Sequence, residues 1–277
     1  MGTRLEVVIP GLDEPEGLKI MRLVQAELDL LVGQISNYDR QSALSNLNRE
    51  AYDSEVQVTG YLHDLLSAGI SYHEKTGGYY DFTLGGWTSQ PDLIRDTGQR
   101  FNALNELPLD RRLRLEGGVA RFLHPDVKID AGGIGKGMAL SVIKRLFTDA
   151  DIRSAFISFG GSSVLGIGSH PHGDSWKVGI LDPDNEQETI ATETIVDQSL
   201  SISGNTIHNR KKYADQGHIL DPVGGRFFTE RGVVTVVSDD PTESEVLSTA
   251  CLAAGKEKQP LMTAGFPGVK VAWYLKH

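Results

Sequence analysis

The order of strand-like and helix-like segments is what most limits the folds open to this chain. Residues 155–159, 176–181 and 189–196 each read as strands, and the punctuation between them is Gly160, Gly161, Gly166 and Gly168, read as tight turns, rather than helices. Further strands are expected at 233–237 and 269–275. They flank a helix that Asp240 caps, that carries Pro241 in its first position and that ends near Gly255. Glu243 follows Asp240 by three residues, so a capping box is expected with Asp in place of Ser or Thr. The first half is richer in helices. A strand at 4–9 precedes a helical pattern over 16–32, with apolar residues at Leu18, Met21, Leu23, Val24, Leu28 and Leu31. The polar stretch ISNYDRQSALSNLNRE suits a turn and a short helix, and a second helical pattern over 58–76 stops at Gly77 and Gly78. Residues 95–118 are charged and show no clear repeat. Residues 122–129 then read as a strand that feeds a glycine-rich turn and a helix over 138–148. Such a mixture lacks the regular alternation of a doubly wound sheet, which makes α+β the expected class.

At 277 residues the chain can bury a substantial core, and one domain over 1–277 is expected. The formal charge of -10 argues against nucleic acid as a partner, because nonspecific phosphate-backbone binding draws on clustered Lys and Arg. Any anionic ligand would need local help from a few lysines, main-chain N–H groups or a bound cation. Cys251 is the single cysteine, which removes intrachain disulfides and multi-cysteine zinc sites. His170 and His172 flank Pro171 in what reads as a loop rather than a metal site. No apolar run of about 18 residues occurs and MGTRLEVVIPG has no apolar signal core. The expectation is a cytoplasmic protein without stable membrane insertion.

Three constellations offer chemistry. In KIDAGGIGKGMAL the glycines before and within the first helical turn let the backbone approach an anion, with Lys136 adding a point charge. The spacing matches neither a P-loop nor GxGxxG, and a packing turn beside a solvated lysine accounts for it equally well. Glu245 and Thr249 stand four apart on one helix, so a carboxylate and a hydroxyl share a face. Hard cations take such oxygens, although an exposed Glu beside a helix Thr is the commoner arrangement. His218 lies three residues before Asp221 in GHILDPVGG, either a general base with its orienter or a strand-end His beside a turn-forming Asp.

Taken together and in order, MGT, ISNYDRQSALSNLN, TGGYYDFT, DAGGIGKG, ISFGGSSVLGIG, SISGN, HILDPVGG and ESEVLSTACLAAG make the chain resemble the ApbE family of FAD:protein FMN transferases. The resemblance covers nearly the whole chain. It implies an ApbE-like, T-fold-related architecture of mixed sheets with flanking helices. It also implies a reaction in which FAD is split at its pyrophosphate, the FMN half passes to a threonine hydroxyl of an acceptor protein, and AMP leaves. Mg²⁺ would neutralise the pyrophosphate. By the same resemblance Met1, Tyr38, Tyr79, Tyr80, Asp81, Asp130, Lys136 and Ile219 correspond to FAD-contacting positions. Gly133 corresponds to the residue that gives the metal a main-chain carbonyl, Glu245 and Thr249 to its side-chain ligands, and His218 to the histidine that activates the acceptor hydroxyl. Two departures stand out: Glu245 occupies a position where the family usually has Asp, and the export signal of many members is missing from this sequence. An FAD pyrophosphatase and an FAD-binding protein without turnover are the alternatives.

Overall fold

A computed structural model describes residues 3–88, 93–207, 217 and 219–276. The first half comprises β1 (Leu5–Val8), α1 (Glu14–Ile35), α2 (Ala43–Glu50), β2 (Val56–Gln57), α3 (Gly60–Lys75), α4 (Gly85–Thr88), α5 (Leu93–Asn105), β3 (Leu113–Glu116), β4 (Val119–Phe122) and α6 (Gly135–Asp149). The second half runs β5 (Ala155–Phe159), β6 (Ser163–Ile167), β7 (Trp176–Leu181), β8 (Thr189–Ile195), β9 (Ser199–Asn205), β10 (Leu220–Asp221), β11 (Arg226–Phe227), β12 (Gly232–Ser238), α7 (Pro241–Ala254), α8 (Gln259–Thr263) and β13 (Lys270–Leu275).

A six-stranded sheet in the order β1-β5-β6-β9-β12-β13 forms the centre, antiparallel at every pairing. The class is α+β, as the strand order suggested. All seven residues of β12 are buried, because the sheet is covered on both faces and its Val-rich run can serve both. Toward the helices, Leu165, Val234 and Val236 join Leu247 and Cys251 in the main core. Toward the opposite side, Val164, Leu200, Val233 and Val237 meet the β7–β8 hairpin through Trp176, Val178, Ile180 and Ile195. The main core also takes in the stripe Val24, Leu28, Leu31 and Ile35 of α1.

Several local expectations need correcting. Residues 122–129 do not form one strand, since β4 stops at Phe122 and the segment turns at 124–127, where the Val127 N–H bonds the His124 carbonyl. Only the bridge Leu84 to Lys128, parallel in sense, carries the chain on toward the glycine turn. Residues 95–118, which show no repeat, contain all but the first two residues of α5 and all of β3. Gly166 is not a turn but a strand residue, and a Cβ there would lie 2.9 Å from Trp176 Cδ1 and 3.0 Å from Ile195 Cγ1. Its missing side chain is what lets the hairpin seat on the sheet. Asp240 does cap α7 with Pro241 in the first turn, and Gly255, at φ +81°, ends the helix. The box is not reciprocal, however. The Ser238 hydroxyl donates to Glu243 Oε1 and accepts the Asp240 N–H at 3.2 Å, standing between the two groups expected to meet directly.

Candidate functional site

The segment entering the glycine turn is held by side chains and main chain from three other places. Asn48 brackets Ile129, accepting its N–H at 2.8 Å and donating to its carbonyl at 2.9 Å, as a neighbouring strand would. The Asp130 N–H bonds the Phe82 carbonyl at 2.8 Å and the Gly85 N–H bonds the Lys128 carbonyl at 2.8 Å. The Asp130 carboxylate is then fully engaged. Oδ1 accepts from Asn37 at 2.8 Å and from the Gly132 N–H at 2.9 Å, while Oδ2 accepts from Thr88 at 2.7 Å. It is thus a fixed corner that folds the glycine turn back on itself.

Gly133 follows at φ +71°, where L side chains are strained, and a Cβ on it would lie 3.0 Å from Thr249 Oγ1. The turn therefore rests directly against α7. Among the described residues no side chain caps α6; the Gly135 and Met138 N–H groups bond the Ala131 and Ile134 carbonyls at 2.9 and 3.0 Å, which leaves those of Lys136 and Gly137 for an outside acceptor. Lys136 in that first turn makes an ion pair with Glu245 Oε1. One residue on, a Cβ at Gly137 would lie 2.5 Å from the Pro241 carbonyl oxygen and 2.9 Å from Glu245 Cβ, so α6 and α7 approach closely only because that side chain is missing.

Glu245 is held at both oxygens. Its side chain is 4% exposed, and while Oε1 takes Lys136, Oε2 accepts from Ser163 and, at 2.8 Å, from Ser201. Thr249 lies one turn further, its hydroxyl 3.3 Å from the Glu245 carbonyl and 3.5 Å from Ser203 Oγ. Below them Ser199, Ser201 and Ser203 of β9 meet Ser244 and Ser248 of α7 in a line of hydroxyl contacts at 2.8 to 3.0 Å.

A cleft of ≈ 1390 Å³ opens over this arrangement. Gly133, Lys136, Glu245 and Thr249 form part of its wall, as do Asp130, Tyr79, Tyr80 and Asp81, with Ile219 half-buried and Tyr38 90% exposed. Met1 and His218 lie outside the described residues. The aromatic residues behave differently from one another. The Tyr79 hydroxyl accepts from Lys258, whose ammonium also sits 4.8 Å from the ring centre. Tyr80 is 3% exposed and its hydroxyl is a buried polar atom without a hydrogen-bond partner among the described residues. Burial, then the charges of Asp130, Asp81 and Glu245, push its pKa well above the ordinary tyrosine value, so the hydroxyl keeps its proton. Asp81 turns its side chain, 1% exposed, away into an ion pair with Arg112 at 2.6 Å, and what it exposes to the cleft is main chain.

The donor set fits a hard divalent cation: a carboxylate oxygen, a hydroxyl, and a carbonyl at a glycine whose missing Cβ leaves room beside that hydroxyl. Among the described residues no group of three or more His, Cys, Asp or Glu could hold a metal ion, so a metal here would depend on hydroxyl and main-chain oxygens. The Lys136 ammonium at Oε1 shows that the position already favours positive charge. Asn37, Asn48, Ser163, Ser201 and Arg112 went unassigned in the sequence. Asn37 and Asn48 stand in ISNYDRQSALSNLN and Ser163 in ISFGGSSVLGIG, but nothing local distinguishes them from surface amides and hydroxyls.

Comparison with known proteins extends the geometry. The FAD:protein FMN transferase of Klebsiella pneumoniae (strain 342) is 28% identical over 277 residues, spanning 93% of this chain and 77% of that protein. The FAD:protein FMN transferase of Escherichia coli (strain K12) is 27% identical over 275 residues, with the same coverages of 93% and 77%. The flavin transferase ApbE from Vibrio cholerae superposes with a TM-score of 0.82 at 22% identity, covering 100% of this chain and 91% of that one, which shows a shared fold. The ApbE family model matches residues 1–273, and the chain belongs to the ApbE family.

Proposed function

We propose that this protein is an FAD:protein FMN transferase that moves the FMN half of FAD onto a threonine hydroxyl of an acceptor protein and releases AMP. The observation that carries the reading is the meeting, on one wall of a large cleft, of Gly133 and Lys136 with Glu245 and Thr249, residues more than a hundred positions apart in sequence. Family membership and the names of the relatives agree with it.

In this reading Lys136 and the uncapped start of α6 take the pyrophosphate oxygens, positive charge and N–H groups meeting negative charge. Glu245, Thr249 and the Gly133 carbonyl would hold Mg²⁺, which supplies neutralisation of the pyrophosphate and of the leaving AMP when bound. The cleft exceeds the roughly 300–1,000 Å³ of ordinary small-molecule sites, as a dinucleotide requires. Tyr38, Tyr79, Tyr80 and Ile219 would line the path of its rings, with Asp81 contributing main chain and Asp130 fixing the turn. His218 would accept the threonine proton as the hydroxyl oxygen bonds to the FMN phosphorus and the bond to AMP breaks, in keeping with the positioning and electrostatics that phosphoryl transfer asks of a protein. Among the described residues no helix is long and apolar enough to cross a membrane. A cytoplasmic location accompanies the proposal and is open to fractionation.

Incubating the protein with FAD, Mg²⁺ and a threonine-bearing acceptor should yield AMP and a flavinylated threonine peptide by mass spectrometry. Free FMN and AMP without labelling would mean a pyrophosphatase instead, and retained FAD without AMP a binding protein. His218→Ala should suppress transfer by at least about a hundredfold, as loss of a general base does, while FAD binding changes little. Equal losses in both would assign His218 a structural role.

A further inference from the structure

We propose that Ser163 and Ser201 are positioning residues that set how Glu245 meets a divalent cation, an inference that rests on the flavin-transferase reading above. The two serines stand opposite one another in the β6–β9 pairing, so their side chains share a face of the sheet and reach α7 side by side. Both donate to the same oxygen, Glu245 Oε2. A carboxylate pinned in this way offers the cleft its other oxygen, Oε1, now shared with Lys136. It thereby acts as a one-oxygen ligand rather than swinging to present two.

The geometry also gives the length of Glu245 a purpose. A glutamate arm has one more rotatable bond than an aspartate and would hold a cation more loosely if left free. Two buried hydroxyls on a rigid sheet remove that freedom: Ser163 is 1% and Ser201 2% exposed, and Ser201 is itself held by Ser248 at 3.0 Å. Mg²⁺ demands near-octahedral geometry at about 2.1 Å, whereas Ca²⁺ accepts six to eight oxygens, often from two-oxygen carboxylates. Fixing Oε2 on the sheet therefore favours the smaller ion.

The test uses the full chain without FAD and Mn²⁺ as probe, its binding followed by loss of the free Mn²⁺ signal in electron paramagnetic resonance and by competition with Mg²⁺ and Ca²⁺. Outer partners of metal ligands typically affect affinity by about 10–100-fold. Ser163→Ala/Ser201→Ala is expected to bind Mn²⁺ at least about tenfold more weakly and to lose preference for Mg²⁺ over Ca²⁺, while Ser201→Thr, which keeps the hydroxyl, stays near the unaltered protein. If the double variant does not fold, Ser201→Ala alone is compared with Ser201→Thr. Unchanged Mn²⁺ affinity and selectivity in the alanine variants, or equal weakening in Ser201→Thr, would overturn the serine assignment while leaving the metal site intact. Glu245→Ala separates the two levels: if it binds Mn²⁺ as the unaltered protein does, the metal-site reading fails and the serine proposal with it.

Discussion

The Tyr80 hydroxyl is the clearest single-atom sign that the cleft is built for something polar. Folding removes it from water without a partner among the described residues, and leaving a buried donor unpaired costs about 1–3 kcal/mol. Tyr80→Phe is therefore expected to raise the stability of the ligand-free protein by roughly 1 kcal/mol in urea denaturation while weakening FAD retention. A loss of stability instead would show that the hydroxyl has a partner in solution. Other residues were legible to different degrees. Gly133, Lys136, Glu245 and Thr249 come to notice through the family resemblance, because their local spacing fits a packing turn and an exposed helix face equally well or better, and the fold brings the four together. Asn48 and Ser201 gave no hint, because what each one does depends on a main chain or carboxylate dozens of positions away. Asp81 corresponds to a flavin-contacting position by resemblance, and its carboxylate serves Arg112 and Thr83, which leaves its main chain for the cleft, a division that only burial reveals.

Among the elements, the contact between α6 and α7 decides whether the site's two halves meet. Gly137→Ala would drive a methyl against the Pro241 carbonyl, Thr242 Cα and Glu245 Cβ, and overpacking of this kind costs about 1–3 kcal/mol. The expected result is that loss in urea denaturation together with weaker Mn²⁺ binding, because the helices separate just where Lys136 reaches Glu245. A variant as stable as the parent would mean the helices slide apart freely. The same region explains why β9 was missed in the sequence. SLSISGN carries its serines toward α7 and Leu200 toward the hairpin, so a face that looks solvated from its composition is one of the most buried in the molecule. Polar and apolar alternation marks a strand half in water only when the polar side has no helix laid over it. The helix at Asp240 is readable because its cap and proline act locally, whereas 122–129 reads as one strand although it turns at 124–127, and the part that follows the turn is held in place by Asn48 and 82–85, which lie far away in sequence.

For the molecule as a whole, the absence of strand–helix alternation was enough to give the α+β class, while strand order within the central sheet depends on pairings that no local pattern encodes. Its packing also sets an alkaline limit. Burial pushes the Cys251 thiol up to about 12, and burial followed by the Glu193 bond pushes Tyr274 up to about 12; Tyr72 and Tyr80 are raised as well. Each folded-state value lies above the unfolded one, so with rising pH the unfolded chain loses protons that the native state keeps, and stability falls. The urea midpoint should be flat between about pH 7 and 8 and decline from about pH 9, where the unfolded thiol and then the tyrosines ionise, toward about 12. Cys251→Ala should flatten the first part of that decline; a midpoint constant to about pH 11 would contradict these shifts. The contact of Gly133 with Thr249 and of Lys136 with Glu245 has one more consequence. Anything that grips both sides of it staples the glycine turn to a helix 109 positions further along the chain. It closes the intervening stretch into a ring as a disulfide would, in a protein whose single cysteine cannot do so.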